Sequence, residues 1–479
     1  MSAFGTPEEA ARAVVLAGER AAAFRRDVAG LPAAGMLSAE ERAAYRVSLP
    51  RQGKGLEATI ERVASEVLPH SHSHSHPRSF PFIDGSGLEA GIAAAVLAAA
   101  LDSNLGGGAG LASELEDVTW RWLAELIGFP AGGGHFTSGG TLANMTGLAC
   151  ARGRAFPDAR ERGVAPGSAA VYASEQAHNS IARACDLLGL GRRALRPIRC
   201  DDTFRIRPDE LANAIETDRA AGVTPVAVVG VAGTTSTGAV DRLDALADIC
   251  AEHGVWMHVD GAYGAPAAAA PTSAPLFDGL DRADSLAIDP HKWLYLPKAV
   301  GCVLLRDPGA LAAAFAGEAA YLENVGDGPF AGPVWPVWEG IEVTHPFRGL
   351  GPWMAFEAYG ADALVDAIEN DLRLARLLAD AVRAAPDLEL LDEPQLSVVV
   401  YRHHPPGMDD AAALDAHNRA LLDAMQRDGR VLTSGTTIRG AFALRPCITH
   451  HRSTDADVLA LAEVAQELGA GLAARTLPG

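Results

Sequence analysis

Two amphipathic segments open the chain before any strand pattern begins. Thr6-Pro7-Glu8-Glu9 joins a capping box to a proline at the first helical position and predicts an Ala-rich helix to about Arg26. A second helix fits Leu56 to Leu68, with Leu56, Ile60, Val63 and Val67 recurring on one face. Such helices bury little by themselves and must cover another surface, of this subunit or of a partner. Residues 87–101 predict an apolar helix whose run Ala90–Leu101 is too short to cross a bilayer and is expected to be buried. Ser113 to Ile127 predicts a further helix with Leu115, Val118, Trp122 and Leu126 at core spacing.

From about residue 130 the pattern becomes strand, loop and helix in repetition. Strands are predicted at Ala169–Ala173, Val226–Ala232, Val255–Asp260, Ser285–Ile288 and Gly301–Leu305, with helices such as Leu243–Glu252 between them. This alternation implies an α/β fold with a mostly parallel sheet covered by helices. After a Gly- and Pro-rich passage (323–352) come helices over Pro352–Tyr359 and Ala361–Ala384, then short strands at Ser397–Tyr401 and Ala441–Leu444. We read an N-terminal helical segment (1–85), a large domain (86–350) and a smaller α+β C-terminal domain (351–479).

Composition narrows the function. The 479 residues are 48% hydrophobic, enough for a large core, and carry a formal net charge of -20, which argues against nucleic acid or an anionic membrane as partner. Six scattered cysteines without CxxC spacing, and a start lacking a basic region followed by an apolar one, predict a reduced cytoplasmic protein.

The candidate chemistry gathers where predicted strands end, which is where open α/β sheets bind ligands. Ser285–Ile288 runs into Asp289-Pro290-His291-Lys292-Trp293, so Lys292 stands beside apolar and aromatic neighbours that suit Schiff-base chemistry. Gly139-Gly140-Thr141 precedes a helix and could cradle a phosphate, although glycine-rich helix starts are common. His178 follows one strand, Thr234-Thr235 closes another, and Asp260 ends the apolar Val255–Val259, where an isolated carboxylate needs a partner. A phosphate cradle, an aromatic stacker, a carboxylate for a ring nitrogen and a lysine together are the parts that bind pyridoxal phosphate.

The segments His258-Val259-Asp260-Gly261-Ala262-Tyr263 and Asp289-Pro290-His291-Lys292-Trp293 resemble the pyridoxal-phosphate-dependent group II amino-acid decarboxylases, from about His76 to Arg452. The resemblance implies a fold-type I enzyme of the aspartate aminotransferase kind. It implies that Lys292 carries the cofactor, that Asp260 pairs with its ring nitrogen, and that His178 stacks on the ring. Gly139, Gly140 and Thr141 would hold the phosphate with His291 beside it, while Thr235 and Ala262 would lie against the ring. Tyr321 matches the tyrosine of a mobile loop that protonates the substrate carbon, and a Phe there accompanies aldehyde-forming relatives. A homodimer with its active sites at the interface is implied as well, with an aromatic L-amino acid as first choice of substrate and glutamate or 2,4-diaminobutyrate as others. Asp289 departs from the Asn of several relatives.

Some residues stay open. His70-Ser-His-Ser-His-Ser-His76 would, if extended, aim four imidazoles to one side, as metal ligands or as a polar loop. Phe80 and Phe82 could wall an aromatic substrate or belong to the core, and Arg348 could serve a carboxylate or a helix end. Rival functions are an aldehyde synthase sharing the cofactor residues, a cysteine desulfurase-like lyase requiring a reactive thiol, and a cofactor-free metal-handling protein built on the histidine run.

Overall fold

The computed structural model describes residues 6–108, 110–317 and 335–476. Two sheets organise it. The larger comprises β1 (Gly133–Thr137), β2 (Ala169–Ser174), β3 (Leu195–Ile198), β4 (Thr224–Val231), β5 (Trp256–Asp260), β6 (Ser285–Ile288) and β7 (Gly301–Leu305), in the order β1-β7-β6-β5-β4-β2-β3. Only β7 runs antiparallel to its neighbours. Every residue of β2, β5, β6 and β7 is buried, which explains their largely apolar composition.

The two strands with the weakest sequence signal sit at the sheet's edges. β1 is rich in glycine because it lies against a helix: a Cβ on Gly134 would stand 2.6 Å from the Trp120 ring. β3 contains Pro197, and a strand without one donor is tolerated at an edge.

The smaller sheet is antiparallel throughout: β8 (Leu388–Asp392), β9 (Val400–His403), β10 (Ser434–Ile438) and β11 (Ala441–Arg445), ordered β10-β11-β9-β8. Its core joins Phe80 to Leu374, Leu378, Tyr401, Leu421 and Leu461, so Phe80 is a core residue. Leu350–Ala384 forms one helical run broken at Gly360 (φ 77°), the position that separates the two expected helices. The expected strand at Ser397–Tyr401 begins later, at Val400.

Three helical expectations need correction or refinement. In Leu111–Leu126 the buried face is Ala112, Glu116, Thr119, Trp120, Leu123 and Ala124, while Leu115, Val118, Trp122 and Leu126 are only half-buried. The face rotates because Glu116 is drawn inward to accept from the Gly349 N–H and to meet His345 Nε2 at 2.7 Å. The apolar helix Glu89–Leu101 buries Ala90, Gly91 and Ala94 but exposes Val96, Leu97 and Leu101. The Thr6 capping box forms as expected, and Pro7–Asp27 packs on Leu56–Arg62, where Arg20 bonds both oxygens of Glu61. Leu56, Val63 and Val67 nevertheless point outward.

Candidate active site

Neighbouring strands β6, β5, β4 and β2 bring their carboxyl ends to one edge, and a cavity of about 620 Å³ opens there. All nine described residues predicted for the site line it: Gly139, Gly140 and Thr141 after β1, His178 after β2, Thr235 after β4, Asp260 and Ala262 from β5, and His291 and Lys292 after β6. Tyr321 lies outside the described residues. Thr234 instead turns inward to Thr237 Oγ1.

The turn is shaped for close approach. Gly139 has φ 151° and precedes helix Gly140–Ala155, whose start carries no side-chain cap. A Cβ on Gly140 would stand 2.7 Å from Asp289 Oδ2 and 2.8 Å from the Ala262 Cβ, so only glycine lets the backbone reach this depth. A capless helix start with glycine backbone offers N–H groups to an anion. Asp260 is 6% exposed, and one oxygen accepts from the Ala262 N–H at 3.2 Å. A buried carboxylate with so little hydrogen bonding suits a cationic ring N–H. Lys292 Nζ reaches Asp289 Oδ2 at 2.9 Å, and its side chain keeps 22% exposure toward the cavity. Burial opposes its charge, but Asp289 and Asp260 outweigh burial and hold its pKa above the ordinary lysine value. These residues fit pyridoxal phosphate.

His178 is positioned by a chain of buried hydrogen bonds. The Ser180 N–H donates to His178 Nδ1 at 3.2 Å, so the neutral ring carries its proton on Nε2. Burial lowers the His178 pKa and favours that neutral form. Behind it, Ser180 Oγ takes the Asn144 amide at 3.0 Å, and Asn144 Oδ1 meets His258 Nε2 at 2.9 Å. His258 Nδ1 then meets Ser285 Oγ at 2.8 Å, which also accepts from Trp256 Nε1 at 2.7 Å. Burial pushes the His258 pKa down to about 3, keeping this chain uncharged. The site lysine's loop is tied down too: Trp293 Nε1 and Tyr295 Oη both donate to Asp371 Oδ2, at 3.0 and 2.7 Å, and Tyr263 stacks on Trp293.

The open residues now find places. Phe82 lines the cavity with φ 59°, whereas Phe80 does not. Arg348 is held by both oxygens of Glu342, at 2.6 and 2.9 Å, away from this cavity. The histidine run is not extended: it turns, His70 bonds Glu66 O, His74 pairs with Asp84, and His76 Nε2 donates to Leu31 O. Among the described residues no group of three or more His, Cys, Asp or Glu is arranged to hold a metal. None of the six cysteines lines the cavity, and burial raises the thiol pKa of Cys150 and Cys250 to about 12 and of Cys185, Cys200 and Cys447 to about 11. A desulfurase would need the opposite.

Sequence reasoning missed Arg445. It closes β11, is 5% exposed, lines the cavity and donates to Phe82 O at 2.8 Å, while its Nε has no partner. The signal was present, a charge ending an apolar strand, as at Asp260. Asn144 and Ser180 gave no signal, because polar residues early in a helix ordinarily face water.

Comparison with known proteins agrees with this fold. The family model of the pyridoxal-dependent decarboxylase conserved domain matches residues 39–404. An aromatic-L-amino-acid decarboxylase of Bacillus atrophaeus is 32% identical over 416 residues, covering 86% of this chain and 85% of its own. A phenylacetaldehyde synthase of Arabidopsis thaliana is 28% identical over 417 residues, covering 84% and 83%. The crystal structure of Oryza sativa TDC with PLP and tryptamine superposes with a TM-score of 0.91 at 26% identity, over 98% of this chain and 99% of that one. The chain belongs to the pyridoxal-dependent decarboxylases, as a pyridoxal-phosphate-dependent amino-acid decarboxylase.

Proposed function

We propose that the protein converts an aromatic L-amino acid to its amine and carbon dioxide. The observation that carries the substrate class is the division of the cavity wall. Phe82, Ile83, Leu142, Met145 and Tyr263 give it an apolar side, and Arg445 is the one arginine lining it among the described residues. One guanidinium accounts for one carboxylate, the α-carboxylate, and leaves none for the side chain of glutamate. The names of the relatives in Bacillus and Arabidopsis point to the same class.

Bound in this site, pyridoxal phosphate supplies a protonated ring that draws electrons from the substrate's α-carbon. Asp260 would pair with the ring nitrogen and hold its proton, Lys292 would be the residue that carries the cofactor, and His178 would pack against the ring. Gly139, Gly140 and Thr141 would hold the phosphate with His291 beside them, while Thr235 and Ala262 would lie against the ring. Arg445 orients the α-carboxylate, and the apolar wall excludes water. Tyr321 delivers a proton from Oη to the α-carbon, with His178 Nε2–H assisting. Replacing Tyr321 with Phe should suppress amine formation and expose an aldehyde; unchanged amine output would remove Tyr321 from this role.

The assembly we propose is a cytoplasmic homodimer. Val14, Val15, Leu56, Val63 and Val67 leave an apolar N-terminal face, which a second subunit would bury. No helix of the described residues is long and apolar enough to cross a membrane. We propose that the domains divide at about residues 85 and 350.

The substrate class is tested by competition among L-tryptophan, L-tyrosine, L-phenylalanine and L-glutamate over the cofactor-loaded protein. An aromatic amino acid should show kcat/KM at least about 100-fold above glutamate, the scale of a difference near 3 kcal/mol. Preference for glutamate would overturn the substrate assignment and leave decarboxylation standing.

A further inference from the structure

The carboxylate in contact with Lys292 has no place in the chemistry above. Asp289 is 1% exposed; its Oδ2 lies 2.9 Å from Lys292 Nζ, and its Oδ1 is buried without a hydrogen-bond partner. Glycines hem it in, since a Cβ on Gly140 would stand 2.7 Å from Oδ2 and one on Gly301 2.8 Å from Oδ1. His291 Nε2 is 3.8 Å from Oδ2, and Nδ1–H of that ring is committed to Val300 O at 2.6 Å. A buried carboxylate left with one cation depends on it.

We propose that Asp289 is a positioning residue that clamps cofactor-free Lys292 as an ammonium and so makes cofactor attachment a proton-linked step. The inference rests on the reading that Lys292 carries the cofactor. An ammonium has no lone pair to attack a carbonyl carbon. As the nitrogen bonds to the aldehyde carbon and the C–O bond breaks, two of the three ammonium protons leave with the oxygen as water. The third passes to Asp289 or to solvent, leaving a neutral C=N bond. A carboxylate in contact with the ammonium makes that loss harder.

Other titratable groups come toward Lys292 from several elements. Asp260 comes from the end of β5, Asp84 from the segment after Phe82, His178 from the start of helix Asn179–Leu187, and His291 from its own loop. Asp84 is engaged elsewhere, 2.9 Å from His74 Nε2 and 3.1 Å from Lys298 Nζ. Among them, Asp289 alone forms an ion pair with Lys292.

The test is the rate of aldehyde attachment to the cofactor-free full chain, followed by absorbance against pH. Two probes are used: pyridoxal 5′-phosphate, and 5-deoxypyridoxal, which lacks the phosphate. In the unaltered protein the rate should rise about tenfold per pH unit between about pH 7 and pH 9, with no plateau. Asp289→Asn should shift that profile down by a unit or more, attaching both aldehydes about tenfold faster at pH 7, since one pKa unit is a factor of ten. An unchanged or slower rate with 5-deoxypyridoxal overturns the clamp, and so does acceleration confined to the phosphorylated aldehyde. Should the variant fail to fold, a plateau below pH 9 in the unaltered protein overturns it alone. Borohydride reduction and peptide mapping separate the two readings: a label away from Lys292 removes the cofactor assignment itself.

Discussion

Individual residues in this site are governed by what their neighbours permit them to be. His178 illustrates it: the Ser180 N–H fixes which ring nitrogen is bare, and Asn144, His258 and Ser285 continue the chain inward. Replacing Asn144 with Leu strands Ser180 and His258 in a buried setting. It should lower stability by about 2 kcal/mol, since each orphaned polar group costs on the order of 1–3 kcal/mol. It should also reduce kcat with little change in KM, because the ring is displaced and not the substrate's binding groups. Urea unfolding and steady-state kinetics check the two parts; unaltered kcat would show that the chain does not position His178. The core of this site was legible because a lysine after an apolar strand and an aspartate closing another are both anomalous. Asn144 was not legible, because its function depends on a histidine more than a hundred residues away.

At the level of elements, the lysine loop is locked to the long helix Leu350–Ala384 through Asp371, which receives Trp293 and Tyr295. Burial raises the Asp371 pKa to about 7, against the opposing pull of those two donors. Unfolded, the group titrates near the ordinary aspartate value of about 4. Between these values the folded chain holds a proton that the unfolded chain has lost, so stability falls as pH rises from about 4 to about 7 and levels off above. This amounts to at most about 1.4 kcal/mol per pH unit. Asp371→Asn should therefore gain stability relative to the unaltered protein between pH 5 and pH 8, measured by urea titration. A difference constant with pH would contradict it. The buried strands β2, β5, β6 and β7 were legible from composition, since a sheet covered on both faces takes mainly apolar residues. β1 and β3 were not, because glycine beside Trp120 and proline at an edge answer to tertiary contacts and not to strand propensity. The helix Leu111–Leu126 was assigned the wrong inner face for a related reason: periodicity cannot foresee that Glu116 is drawn inward by His345 and Gly349.

For the whole molecule, the exposed apolar residues are the remaining instruction in the sequence. Val63 and Val67 on the second segment, and Val96, Leu97 and Leu101 on the helix that was expected to be buried, face outward in the single chain. In the proposed homodimer a second copy would cover them, and if that assembly forms, the double substitution Val63→Glu, Leu97→Glu should leave monomers in light scattering. A mass that does not respond would place the subunit contact elsewhere. The account as a whole stands on one reaction. The most direct measurement supplies cofactor-loaded protein with an aromatic L-amino acid labelled with carbon-13 in its carboxyl group. The account predicts that the label leaves as carbon dioxide, with one amine formed for each carbon dioxide released. Label retained in the amino acid, or released alongside an aldehyde in place of the amine, would contradict it.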